Sequence, residues 1–224
     1  MRQEWLEYLP SMRWNTSLTL AVASAAVGSV VTLAWISARN FRERRRQRRD
    51  TALEAAMSLE SYARTCRAMM HKAAWASKAS RGPVSRDAAA TVSIVTFSYP
   101  ERIRWDVLSH KVVSELREFP AVVHATRQHV EAFREFGEPI EVCDQVEYEC
   151  AKAAMAALAL ARSTRRRHGA RTWKPGGSDS AMERELSDFI ASAEEKRKAS
   201  LERRTETSLD RRTGAPPLNQ ALTA

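Results

Sequence analysis

The chain has 224 residues, a formal net charge of +9 and 44% hydrophobic residues, room for one ordinary domain with appendages. Seven glycines and eight prolines are few for a strand-and-turn fold, and the abundant alanine favours helices. Three cysteines, an odd number, argue against a secreted disulfide framework and fit a reducing compartment. The basic charge sits in two places. Residues 39–49 hold seven arginines against Glu43, and residues 162–174 hold six cations and no carboxylate, so the remainder is slightly acidic. Arginine outnumbers lysine 29 to 7, but a GC-rich codon bias raises Arg and Ala together, so arginine content alone is no argument for nucleic acid.

Residues 1–14 are expected to be a short extracytoplasmic N-terminus of a chain held in the bacterial inner membrane. Residues 15–38, "NTSLTLAVASAAVGSVVTLAWISA", carry no charge. As a helix they extend about 33 to 36 Å, just over the ~30 Å hydrocarbon core of a bilayer. Trp14 and Trp35 lie near the two ends, where amphipathic aromatics settle at headgroup level. A single transmembrane helix is the expectation. A cleaved signal peptide is the rival, but the apolar run is long for one and strongly basic residues follow at once. A buried soluble helix is the third possibility.

Arg39, Arg42, Arg44, Arg45, Arg46, Arg48 and Arg49 then act as a stop and orient the helix, because basic flanks stay cytoplasmic and these outvote Arg2 and Arg13. They also anchor it at anionic membrane lipid. Within the span, Ser24, Gly28 and Thr32 form a row of small residues that would let two copies approach closely, a route to a homo-oligomer.

Downstream, Ala52, Ala56, Leu59, Ala63, Cys66, Met70 and Ala73 step by fours and threes, one face of a helix ended by Gly82 and Pro83. No Gly or Pro separates it from Gly28, so one helix of some 60 residues is conceivable. Residues 82–100 contain a β-branched run with no second strand to pair with, and read as an ordered loop or short helical turn packed on the bundle. Trp105, Leu108, Val112, Leu116, Phe119, Val123, Val130 and Phe133 keep helical register across Pro120, which predicts one kinked helix over about 102–136. A third helix over about 139–168 follows Gly137 and Pro139.

Residues 51–168 are therefore expected to form an antiparallel three-helix bundle with short connections, in an all-α chain. Residues 169–178 read as a linker, 179–212 as a charged, partly formed exposed helix, and 213–224 as a disordered tail.

No catalytic constellation stands out. Cys66, Cys143 and Cys150 lack the closely spaced ligand pairs of a metal site, and His110, His124 and His129 make no i, i+4 pair with a carboxylate. Gly-rich phosphate loops are absent from the sequence. No cofactor, metal or enzymatic activity is expected. The second basic patch, Arg162, Arg165, Arg166, Arg167, Arg171 and Lys174, with Trp173 beside it, could bind an anion such as lipid or nucleic-acid phosphate. The plainer alternative is a cationic helix C-terminus complementing the helix dipole. The sequence thus points to a non-enzymatic, single-pass membrane scaffold or recruitment protein with an unknown protein partner, nucleic acid being the minority alternative.

Overall fold

The computed structural model describes residues 16–79 and 89–213, with side chains described over 27–79 and 89–203. The N-terminal residues 1–14, the helix stop expected at Gly82 and Pro83 and the tail from 214 onward therefore lie outside the described residues. Four α-helices and no strand are present among those described: α1 Thr16–Ala79, α2 His110–Phe136, α3 Pro139–Arg167 and α4 Met182–Thr213, with a 3-10 turn at Trp105–Val107. The chain divides into two compact units, Met1–Arg48 and Arg49–Ala224, and the boundary falls inside α1. The 64-residue length of α1 matches the absence of helix-breaking residues between Gly28 and Gly82.

In the second unit, α1 buries Ala52, Ala55, Ala56, Leu59, Ala63, Cys66, Met70, Ala73 and Ala76, the stripe expected from their spacing. Helix α2 buries Val112, Leu116, Phe119, Val123 and Val130 and carries Pro120 in its interior without ending there. It begins at His110, not near 102, because residues 105–107 turn separately and Ser109 is extended. It ends where Gly137 and Glu138 turn extended, and glycine suits the first of these because a Cβ there would stand 2.9 Å from the Phe133 ring. Pro139 opens α3 at a position where a missing N–H costs nothing. Helix α3 closes on Gly169, whose φ of 61° is a left-handed conformation, and the Ala170 N–H returns to the Arg165 carbonyl at 2.9 Å.

The helix directions differ from the antiparallel three-helix bundle with short connections expected above. Glu60 meets Arg165 and Ser77 meets Asp144, so α1 and α3 are antiparallel. Arg167, at the end of α3, reaches Glu115, near the start of α2, so those two helices, joined by a short connection at their other ends, are antiparallel as well. Consequently α1 and α2 are parallel, with the Tyr62 and Phe119 rings 5.8 Å apart. The reason is the connector. From Thr91 onward it runs back along α1: Lys72 Nζ donates to the Thr91 carbonyl at 3.0 Å, Tyr62 Oη donates to the Val95 carbonyl at 3.1 Å, and Arg102 pairs with Glu54. Extended chain rises about 3.3 Å per residue against 1.5 Å in a helix, so few residues suffice to retrace several turns.

This extended connector is part of the core. Val92 and Ile94 are buried, and with no strand alongside, its carbonyls are met by side chains. The Arg134 guanidinium donates to the carbonyls of Ala89 and Ala90, each at 3.3 Å, and to that of Val92. Phe97 and Tyr99 then continue a run of rings, Tyr62, Phe97, Tyr99 and Trp105, with successive centroids 4.9, 4.6 and 5.2 Å apart.

Helix α4 is also more than an exposed appendage. Met182 and Leu186 are fully buried, and Phe189 and Ile190 pack on the core cluster. It runs antiparallel to α3: Arg162 Nη2 lies 2.6 Å from Glu183, Tyr148 Oη donates to Glu194 at 3.1 Å, and Arg197 Nη2 donates to Gln145 at 2.8 Å. Four apolar side chains within nine residues are enough to dock its first turns, while Leu201 further on is exposed.

Candidate membrane and anion-binding residues

In the first unit, Val27, Val30, Val31, Leu33, Trp35 and Ile36 are all exposed, as is Phe41. These are aliphatic and aromatic side chains, and none of them belongs to the core cluster. Arg39, Arg42, Arg44, Arg45, Arg46 and Arg48 follow, all exposed, with Arg49 exposed at the start of the second unit. Thr32 Oγ1 donates to the Gly28 carbonyl at 2.8 Å, which satisfies the hydroxyl within its own helix. Gly28 has nothing within 4 Å of where its Cβ would be, so this face is open, while the Ser24 side chain lies outside those described. Among the described residues no helix is long and apolar enough to cross a membrane. The first half of the uncharged segment, residues 15–26, lies outside the described side chains.

The second basic patch is divided by the fold. Arg165 is buried, with Nε 2.7 Å from Glu60 Oε1, Nη2 2.8 Å from Oε2, and Nη1 2.7 Å from the Arg171 carbonyl. Arg162 is paired to Glu183, and Arg167 Nη1 lies 2.9 Å from both oxygens of Glu115. Arg166, Arg171 and Lys174 remain exposed. Trp173 is half-buried under the Arg64 guanidinium, 5.6 Å from its ring centre, so it is not a bare stacking platform. Half of the patch is thus engaged in holding helices together.

The Glu60–Arg165 pair was missed in the sequence, although a signal existed. Glu60 lies four residues after Ala56 and three before Ala63, inside the apolar stripe of α1, and Arg165 lies four after the buried Ala161. Opposite charges at two stripe positions of neighbouring helices are the mark of a buried pair.

Cys66, Cys143 and Cys150 are all buried and unpaired by disulfide. Cys150 hydrogen-bonds Cys66, and that bond, with burial, pushes its thiol well up; burial likewise raises Cys143 and Tyr62. The bond with Cys150 draws Cys66 the other way, below the ordinary thiol range and against the effect of burial, but its sulfur, like the other two, is sealed in the core and is not presented as a nucleophile or ligand. His110, His124 and His129 are exposed and scattered along α2, and no metal-binding cluster occurs among the described residues. A groove of about 740 Å³ lies between α1 and the connector, but the hydroxyls of Ser58 and Thr65 in its wall donate to backbone carbonyls of their own helix. Neither is oriented by a general base. Compared with protein-family models, curated proteins and solved structures, the chain matches none of them.

Proposed function

We propose that the protein is a single-pass membrane-anchored helical scaffold or recruitment protein without catalytic activity. Residues 15–38 span the bilayer, the N-terminus lies outside, and the four-helix unit is cytoplasmic. The observation that carries this reading is the run of exposed apolar side chains from Val27 to Ile36 followed directly by exposed arginines on the same helix. In water such a run is a liability, whereas in lipid it needs no partner, and a helix satisfies its own backbone hydrogen bonds there. The arginines then meet the anionic cytoplasmic surface and set the orientation. The open face at Gly28 supports self-association through Gly28, Thr32 and Ser24, and the bundle offers its surface to an unidentified protein partner.

The test is a pair of reporters fused after residue 50 and at the C-terminus, with alkaline extraction of the membranes. Retention in the membrane with both reporters active only in the cytoplasm is the expected result. Release by alkali, or a reporter active outside, sinks it. The other reading, a membrane-tethered nucleic-acid-binding protein, keeps only Arg166, Arg171 and Lys174 of its six cations, because Arg162, Arg165 and Arg167 are held by carboxylates. Absence of salt-sensitive retention of the full chain on DNA or RNA would dispose of it.

A further inference from the structure

In the second unit the connector carries backbone groups that the fold leaves unused. Val95 is engaged, since Tyr62 Oη donates to its carbonyl at 3.1 Å and its backbone also hydrogen-bonds Cys150. Beyond it, the N–H and carbonyl groups of Thr96, Phe97 and Ser98 have no hydrogen-bond partner among the described residues. Thr96 and Ser98 are exposed while the Phe97 ring packs on Tyr62 and Phe119, which is the alternation of a strand. Pro100 closes the segment, because it has no N–H to continue a ladder. The same three residues line the groove of about 740 Å³ between the connector and α1. Across that groove α1 contributes residues from Asp50 to Thr65. That is about 22 Å of helix, the length of about six or seven residues of extended chain. Met57 is exposed there and Leu53 half-buried, whereas Ser58 and Thr65 have turned their hydroxyls back onto their own helix. The connector wall thus supplies hydrogen bonds and the α1 wall apolar contact.

We infer that this groove docks an extended segment of a partner polypeptide, added as a strand along Thr96, Phe97 and Ser98 with an apolar side chain over Leu53 and Met57. The inference rests on the recruitment reading and states the form of the partner that is recruited. Donors and acceptors alternating along an extended edge are matched by another extended main chain. A partner helix has spent its backbone groups internally and cannot supply them. Nucleic-acid or lipid phosphate finds no free cation, since Arg102, the only one among the described lining residues, is paired with Glu54. So short an edge gives only a few hydrogen bonds, and a dissociation constant on the order of 0.1 mM is expected for a simple peptide.

The experiment uses the full chain in mild detergent and a heptapeptide of alternating valine and threonine with a lysine at each end. The alternation places the valines on α1 and the threonines in water. At about 1 mM peptide, amide hydrogen exchange over residues 96–98, followed by mass spectrometry, is expected to slow at least about fivefold. Met57→Glu should abolish the slowing, and Val122→Glu, on the exposed side of α2, should leave it intact. The same peptide N-methylated at its five central residues keeps its side chains and loses the ladder, so it should leave exchange unchanged. No slowing by the plain peptide overturns the docking surface. Equal slowing by the methylated peptide also overturns it, in favour of a groove that takes side chains alone. Protection present without peptide that grows with chain concentration assigns the edge to a second copy of the chain. Protection without peptide that vanishes on deletion of residues 214–224 assigns it to the chain's own tail, and either result overturns the partner strand. Release of the chain from membranes by alkali with peptide binding intact would sink the anchor and leave the groove standing.

Discussion

Arg165 grips Glu60 with two parallel hydrogen bonds, 2.7 and 2.8 Å long, across the α1–α3 interface and out of contact with water. A third bond from its Nη1 fixes the Arg171 carbonyl just past the end of α3. One guanidinium therefore joins two helices and the following loop. Removing either partner strands a charge in the core, so Arg165→Met or Glu60→Met alone should destabilise the chain by about 3–5 kcal/mol. The double replacement should recover most of that loss. Urea unfolding of the full chain in mild detergent measures all three, and a double variant no better than the worse single would refute the pairing.

The connector should behave as core despite having no regular structure. Ile94→Ala is expected to lose about 2–5 kcal/mol, the range for a large buried aliphatic side chain. Val122→Ala, on the exposed side of α2, should change stability by less than about 0.5 kcal/mol. Equal effects from the two would mean that residues 92–100 do not pack as described.

Pro120 withholds an N–H from the Leu116 carbonyl in the middle of α2. Pro120→Ala restores that bond at a half-buried position, and a gain of roughly 1–3 kcal/mol is expected. A thermal-unfolding midpoint that falls would show that Pro120 is required to seat Phe119 against Tyr62 and Phe97.

Glu147 has its carboxyl raised above the ordinary range by burial first and by the neighbouring Asp144 second. The folded chain therefore holds this proton more firmly than the unfolded chain does, and stability from this group falls as pH rises through the carboxylate range. Glu147→Gln should raise the unfolding midpoint at pH 7 and give progressively less advantage as the pH is lowered through that range. An advantage independent of pH would point to some other cause.

The three thiols should resist maleimide in the native state and react together once the chain unfolds, since each is buried and at least Cys143 and Cys150 are held protonated. Fast labelling of any one under native conditions would contradict the core described above.

Helix positions and inward faces were readable from periodicity. The third helix, expected over about 139–168, is Pro139–Arg167, and the register across Pro120 does mark a single helix. Helix direction was not readable in the same way. A stripe such as Val112, Leu116 and Phe119 records which face is apolar, and it reads identically whether the neighbour runs up or down. Direction was decided by the connector, whose buried Val92 and Ile94 lie in an extended segment that retraces α1. The docking of α4 was underestimated because its average composition is charged, whereas two fully buried side chains, Met182 and Leu186, settle the matter locally. For the basic patch, counting cations could not separate those that face carboxylates from those that face water.

Glu60 and its partner lie 105 positions apart in the sequence. At the ribosome's pace of about 5–20 residues per second, the acid waits roughly 5–20 s for its arginine to emerge. During that interval the alanine-rich stripe of α1 has no α3 to cover it, and the parallel α2 cannot fold back on it as a local hairpin. The α2–α3 pair, joined by a turn at Gly137, closes within itself first. Assembly is thus a late, long-range capture of an already formed hairpin by a helix made first. The slow step of folding should be sensitive to lesions at the α1–α3 contact and indifferent to those inside the hairpin.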